Sequence, residues 1–109
     1  MADKIMESKV YWSSIEYKYG EASENPEKLI GGFTYVFIKA FDVRDALEKI
    51  TESLDRKGLQ PTEIEFLSPY DGETEWETSK ETKHYKSLFI EALNSSDVVF
   101  DDFYAFEKI

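Results

Sequence analysis

FTYVFIKAF, residues 33–41, opens the stretch that decides the fold, and this stretch continues to Tyr70. Lys39 is the one charged residue in the opening segment, and apolar side chains fall on both faces when the segment is drawn as a strand. Apolar character on both faces is typical of an interior strand whose two sides are covered. A helical pattern and a second strand pattern follow. The stretch therefore predicts a strand–helix–strand unit, which normally forms a right-handed parallel crossover.

The helix of this unit has one apolar stripe and a signal at each end. The stripe consists of Val43, Ala46, Leu47, Ile50 and Leu54. Asp42 can accept a hydrogen bond from the free amides of the first turn, and Gly58 suits a left-handed cap at the other end. Residues 62–66 then alternate with glutamate at every second position, which predicts a half-buried strand.

The segment before this unit predicts another strand. KVYWSSIEYKY, residues 9–19, alternates and presents one mainly aromatic face. Residues 20–32 collect Gly, Ser, Asn, Pro and Glu around few apolar residues, so we expect a surface loop, with Gly31 and Gly32 freeing the backbone before the next strand.

The segment after the unit predicts a second helix and a last strand. Thr78 and Glu81 have the spacing of a capping box, so we expect the helix to begin near Ser79. Its apolar stripe consists of Tyr85, Leu88, Phe89, Ala92 and Leu93. From residue 97 the chain has the pattern of a strand, in which Asp101 and Asp102 interrupt the alternation and predict a bulge.

These elements predict a single domain over residues 1–109 with an α+β fold. We expect a two-layer sandwich in which a mixed sheet of four or five strands carries both helices on one face. Residues 73–78 are acidic and polar, and they are predicted either as a short edge strand or as a loop. If they pair, the order from Phe33 onward is ferredoxin-like, with residues 9–19 as an extra edge strand.

The charge and composition exclude several classes of function. The formal net charge is −10, from 23 acidic and 13 basic residues. Such a balance disfavours binding to nucleic acid or to an anionic membrane, because both require Lys and Arg. It favours solubility or attraction to a basic partner. The chain has no cysteine, and its first residues lack the apolar core of a signal peptide, so we expect a cytoplasmic protein without disulfides or thiolate chemistry.

No motif predicts a catalytic, cofactor or metal site. His84 is the single histidine, and it lacks the second ligand or positioned nucleophile that zinc or triad chemistry needs. Asp101 and Asp102 are adjacent, so in a regular strand they point to opposite faces and cannot act together. The acidic positions from 71 to 77 do not match a calcium-binding loop and are interpreted as a solvated edge. Lys80, Lys83 and Lys86 are interpreted as a solvated helix face.

Aromatic residues are more numerous than a small core needs, at 16% of the chain. Two helices on one face of a sheet would leave its other face to be covered by a loop, a second subunit, a partner or water. Aromatic patches are enriched in interfaces. We therefore predict a partner-binding patch formed by Trp12, Tyr35, Phe37, Trp76 and Tyr104.

Residues 37–71, FIKAFDVRDALEKITESLDRKGLQPTEIEFLSPYD, and the closing VVFDDFYAFEKI resemble small bacterial α/β domains of uncharacterised function. The shared features are a strand, a helix with a DALEKI-like sequence, a strand that ends near a Pro-Tyr-Asp turn, and an aromatic last strand. The resemblance covers about two thirds of the chain and implies the fold and a bacterial origin, and it carries no active site. In size and charge the chain also resembles small acidic immunity and inhibitor proteins.

Three hypotheses about function follow. The first is a non-enzymatic interaction module that self-associates, for example as a homodimer, through its aromatic sheet face. The second is an acidic immunity or inhibitor protein that binds a basic enzyme. The third is a small enzyme that uses His84 with Asp101 or Asp102. We take the first as the prediction, without a cofactor.

Overall fold

The computed structural model of the chain describes residues 8–19 and 31–106. The elements in chain order are β1 (Lys9–Tyr19), β2 (Gly31–Ala40), α1 (Val43–Arg56), β3 (Leu59–Pro69), α2 (Ser79–Leu93), β4 (Val99–Phe100) and β5 (Tyr104–Phe106). Most of the loop predicted between the first two strands, residues 20–30, lies outside the described residues. Within the described ranges, no helix is long and apolar enough to cross a membrane.

The strands form one sheet in the order β3-β1-β2-β4, and β5 continues the pairing with β2 beyond β4. Every neighbouring pair is antiparallel, so the predicted mixed sheet is corrected to an antiparallel one. The two strands that α1 joins do run parallel to each other, but β1 lies between them. Residues 9–19 were expected as an extra edge strand only if residues 73–78 paired; instead β1 lies between β3 and β2, with buried apolar side chains on both faces.

The α+β class with one sheet and two helices is confirmed. The placement of both helices on one face was wrong. α1 packs with Val36 and Ile38 of β2, whereas α2 packs with Tyr35 and Phe37 of the same strand. Successive strand residues point to opposite faces. The helices therefore cover opposite faces of the sheet, and this explains why β2 is apolar on both sides.

α1 begins and ends where the sequence predicts. The Asp45 amide donates to Oδ1 of Asp42 at 2.7 Å, and Gly58 adopts a φ of 73° just after the helix, in the left-handed region. Of the predicted apolar stripe, the sheet buries Ala46, Ile50 and Leu54. Burial of such aliphatic side chains stabilises the fold by about 1.5–3 kcal/mol for each large one. The other two members of the stripe stay exposed.

The predicted start of α2 is confirmed, since the Glu81 amide donates to Oγ1 of the N-cap residue Thr78 at 3.0 Å and the Thr78 hydroxyl lies 3.0 Å from Oε1 of Glu81. Residues 73–78 form no strand. The amide of Thr74 donates to the Asp71 carbonyl at 3.0 Å in a turn, and the amide of Trp76 donates to Oγ1 of Thr82 at 2.9 Å. Local hydrogen bonds thus occupy the donors that a strand would use in pairing, and the ferredoxin-like order is not confirmed.

The last strand contains the predicted bulge. Val36 lies opposite Phe100 in β4, and Phe33 lies opposite Tyr104 in β5, so the three residues 101–103 face the two residues 34 and 35. The extra residue changes which side chains share a face. As a result Phe103 stacks on Phe100, with ring centroids 5.3 Å apart, on the face that α1 covers.

Candidate functional site

An aromatic cluster lies between the sheet and α2. It consists of Trp12, Tyr35, Phe37, Tyr70, Trp76, Tyr85 and Phe89. The ring centroid of Trp12 is 6.0 Å from that of Phe37, 5.2 Å from that of Tyr70 and 5.6 Å from that of Trp76. Nε1 of Trp76 donates to the Tyr70 hydroxyl at 3.1 Å. The cluster is thus part of the core, and an internal hydrogen bond satisfies the indole N–H of Trp76.

The structure brings together four of the five residues predicted to bind a partner. Trp12, Tyr35 and Trp76 are partly buried in the aromatic cluster. Phe37 is 0% exposed, so it cannot contact a partner in this structure. Tyr104 lies outside the cluster and is 48% exposed, with its ring stacked on Phe33 at 5.0 Å. The predicted open aromatic face is therefore covered by α2, because the helix carries its own aromatic stripe onto it.

His84 and Asp101 form a second feature, which the sequence suggested only as an alternative. Nε2 of His84 lies 2.8 Å from Oδ1 of Asp101, and the exposed fractions of the two side chains are 47% and 4%. The backbone of Asp101 is hydrogen-bonded as well. Its amide donates to the Tyr35 carbonyl at 2.9 Å, and its carbonyl accepts from Oγ1 of Thr34 at 3.2 Å. Asp102 is exposed and takes no part in the pair.

A buried carboxylate that orients an imidazole is an arrangement that can move protons. In the described part of the chain, no hydroxyl donates to this imidazole, since Ser87 Oγ instead donates to the backbone carbonyl of His84 at 2.6 Å. The same residues contain no group of three or more His, Cys, Asp or Glu that could hold a metal ion. The pair joins α2 to the bulge, and its geometry is that of a clasp between two elements.

The charge of Asp101 also acts on its neighbour Tyr85. Burial raises the pKa of the Tyr85 phenol, and the negative charges of Asp101 and then of nearby Tyr and Glu groups raise that pKa further. The phenol therefore keeps its proton, which suits its position in the aromatic cluster.

The outer side of α1 is the third feature, and it combines apolar exposure with acidic charge. Phe41, Val43 and Leu47 are 50%, 47% and 38% exposed. A shallow groove of about 490 Å³ includes one of them, Leu47; this α1 acidic groove is lined by Leu47, Glu48, Thr51, Glu52 and Asp55. The sheet accommodates only the inner part of the apolar stripe, so its outer edge remains in contact with water.

Lys49, on the same helix, does not neutralise this groove. Lys49 Nζ forms a salt bridge with Asp45 at 3.3 Å and donates to the Lys39 carbonyl at 3.2 Å. The pKa of Asp45 is lowered, first by the hydrogen bond from the Phe41 amide and then by Lys49. Among the residues that the structure describes, the carboxylates of the groove form no salt bridge. Sequence reasoning missed the groove because it assigned the whole stripe to the core; the available signal was that Leu47, Thr51 and Asp55 follow one another at helical spacing, with Glu48 and Glu52 next to them.

Comparison of the chain with protein-family models, curated proteins and solved structures gave no match. The site is therefore interpreted from its own geometry.

Proposed function

We propose that the protein is a non-enzymatic interaction module that binds a basic protein partner through the α1 acidic groove. The observation that carries this proposal is an exposed apolar side chain, Leu47, in one groove with the carboxylates of Glu48, Glu52 and Asp55. Protein interfaces commonly combine an apolar centre with a polar rim. The carboxylates would steer a basic partner toward the groove, and Leu47 would be buried in the complex.

The rest of the molecule supports a partner of opposite charge over a second copy of the chain. Two copies that each carry a formal charge of −10 repel one another. The aromatic sheet face, on which self-association was predicted, is covered by α2. A basic enzyme is one form of such a partner, and the module would then act as an inhibitor. The absence of cysteine from the sequence is in keeping with a cytoplasmic setting.

The experiment uses a designed amphipathic helix with Lys and Arg on one side and Leu on the other as the probe. Its affinity is measured by isothermal titration calorimetry for the native chain, for a Glu48→Lys/Glu52→Lys variant and for a Glu73→Lys/Glu75→Lys control. The two variants change the net charge equally, and all four positions are exposed. We expect the groove variant to bind about tenfold more weakly and the control to lose less than about threefold.

Leu47→Ala provides a test that leaves the charge unchanged, and it should weaken binding through loss of apolar contact. Raising the salt concentration should weaken binding to the native chain more than to the groove variant. Equal losses in the groove variant and the control would show attraction by net charge alone and would refute the groove as the site. A concentration-dependent dimer in sedimentation velocity, insensitive to these changes, would favour self-association instead.

A further inference from the structure

A second cavity, of about 390 Å³, lies where the last turn of α1 approaches β4. It is lined by Ser53, Arg56, Lys57, Asp97, Val98 and Phe100. None of these residues lines the α1 acidic groove. Its volume is in the range of small-molecule sites, which span roughly 300–1,000 Å³.

The charges that line this cavity are of both signs. Arg56 and Lys57 supply two positive charges in a chain that is strongly acidic overall, and Asp97 supplies a negative one. Within the described ranges none of these three side chains forms a salt bridge, although they line the same cavity. Their charges are therefore available to a ligand.

Phe100 forms part of the apolar wall of the cavity, and the sheet and a neighbouring ring fix its position. Phe100 is partly buried, lies opposite Val36 in the sheet and stacks on Phe103. Nζ of Lys57 lies 5.0 Å from the centroid of the Phe100 ring, a cation–π distance. This contact keeps the ammonium at the cavity without neutralising it. Ser53, only 8% exposed, adds a hydroxyl to the lining.

This lining favours a ligand that carries charges of both signs over a simple ion. A dianion would meet the carboxylate of Asp97 and the net negative charge of the chain, whereas a simple cation would meet both Arg56 and Lys57. A ligand that carries one carboxylate and one ammonium matches both signs at once. An apolar side chain on that ligand would have Phe100 and Val98 to pack against.

We propose that the cavity binds a small zwitterion of the amino-acid type. Its carboxylate pairs with Arg56 and Lys57, its ammonium pairs with Asp97, and its apolar side chain lies along Phe100 and Val98. Guanidinium is well suited to hold a carboxylate through paired hydrogen bonds. The site is independent of the function proposed for the α1 acidic groove, so either can fail without the other.

The test titrates the full chain with L-phenylalanine and L-leucine, followed by calorimetry and by amide chemical shifts. N-acetyl-L-phenylalanine lacks the ammonium, and L-phenylalanine amide lacks the carboxylate. We expect saturable binding of the free amino acids, with each derivative at least about tenfold weaker. The shifts should centre on the residues that line the cavity.

Variants assign the two charged contacts. Arg56→Gln should reduce the preference for the free carboxylate, which Lys57 alone then holds, and Asp97→Asn should abolish the preference for the free ammonium. Arg44→Gln and Asp102→Asn make the same charge changes at exposed positions elsewhere and should bind as the native chain does. Thermal unfolding establishes that each variant is folded. The proposal is overturned if no saturable binding occurs up to about 10 mM ligand, if the derivatives bind equally well, or if Arg56→Gln leaves the affinity unchanged.

Discussion

Nε2 of His84 and Oδ1 of Asp101 lie 2.8 Å apart, and this hydrogen bond joins α2 to the bulge of the last strand. The imidazole is half in solvent, whereas the carboxylate is almost fully buried. Removing one side chain of the pair therefore does not have the same effect on stability as removing the other. Removing the imidazole leaves a buried carboxylate without its side-chain partner.

His84→Ala should lower the free energy of unfolding by about 1–3 kcal/mol, because an unsatisfied buried acceptor keeps its full desolvation cost. Urea unfolding measures the change. Lys83→Ala, at the exposed neighbouring position of the same helix, is the control and should change stability by less than about 0.5 kcal/mol. If His84→Ala and Lys83→Ala lower the free energy of unfolding equally little, the hydrogen bond between His84 and Asp101 contributes nothing to stability.

Phe37→Ala should destabilise the protein by about 3–5 kcal/mol, since the ring is fully buried in the aromatic cluster and its removal leaves a cavity. Tyr104→Ala should cost about 1 kcal/mol or less, because that ring is half exposed and contributes mainly its stacking on Phe33. Urea unfolding followed by tryptophan fluorescence compares the two. Similar losses at both positions would contradict the division into core and surface.

Stability should fall at high pH because of Tyr17. Burial, with smaller contributions from Tyr19, raises the pKa of the Tyr17 phenol from 10.0 to about 12. A folded-state pKa above the unfolded value means that the stabilising contribution is fully present below about pH 10 and is lost as the pH rises toward 12. Tyr17→Phe should therefore lose less stability over this interval than the native chain.

Urea unfolding at a series of pH values measures this dependence. Tyr85, whose pKa is also raised, adds a loss of the same sign that remains in Tyr17→Phe. If the free energy of unfolding of Tyr17→Phe falls with pH as steeply as that of the native chain, the Tyr17 phenol ionises as freely in the folded chain as in the unfolded one.

β3 forms one edge of the described sheet and carries features that oppose strand addition. Its pairing with β1 has two irregularities, and Glu63 and Glu65 are exposed along it. Charges and bulges protect edge strands from pairing with another chain. Glu63→Thr/Glu65→Thr should therefore self-associate at concentrations where the native chain does not.

Sedimentation velocity detects that association. Glu73→Thr/Glu75→Thr makes the same charge change in the turn segment before α2. This control should self-associate no more than the native chain does. Association of both variants would assign the effect to reduced net charge, and association of neither would show that the bulges alone protect the edge.

The sequence predicted a structural feature correctly where the interaction that causes it joins residues a few positions apart. Asp42 and the capping box at Thr78 determine where the helices begin, because each acts on amides of the adjacent turn. The aspartates at 101 and 102 indicated the bulge in the last strand.

The arrangement of these elements could not be derived in the same way. β2 is apolar on both faces, so its pattern is equally compatible with helices on one side or on both. Only the folded chain places α2 opposite α1, moves β1 to the centre of the sheet and occupies the amides of residues 73–78 with local bonds.

The same distinction separates the sites. The sequence by itself determined the acidic charge, the order of helices and strands and the ends of both helices, because these depend on composition and on neighbours along the chain. Tertiary structure alone decided that Phe37 is buried, that His84 meets Asp101, and that Arg56, Lys57 and Asp97 share one cavity. Those contacts join residues far apart in the chain, and their geometry depends on which face each helix covers.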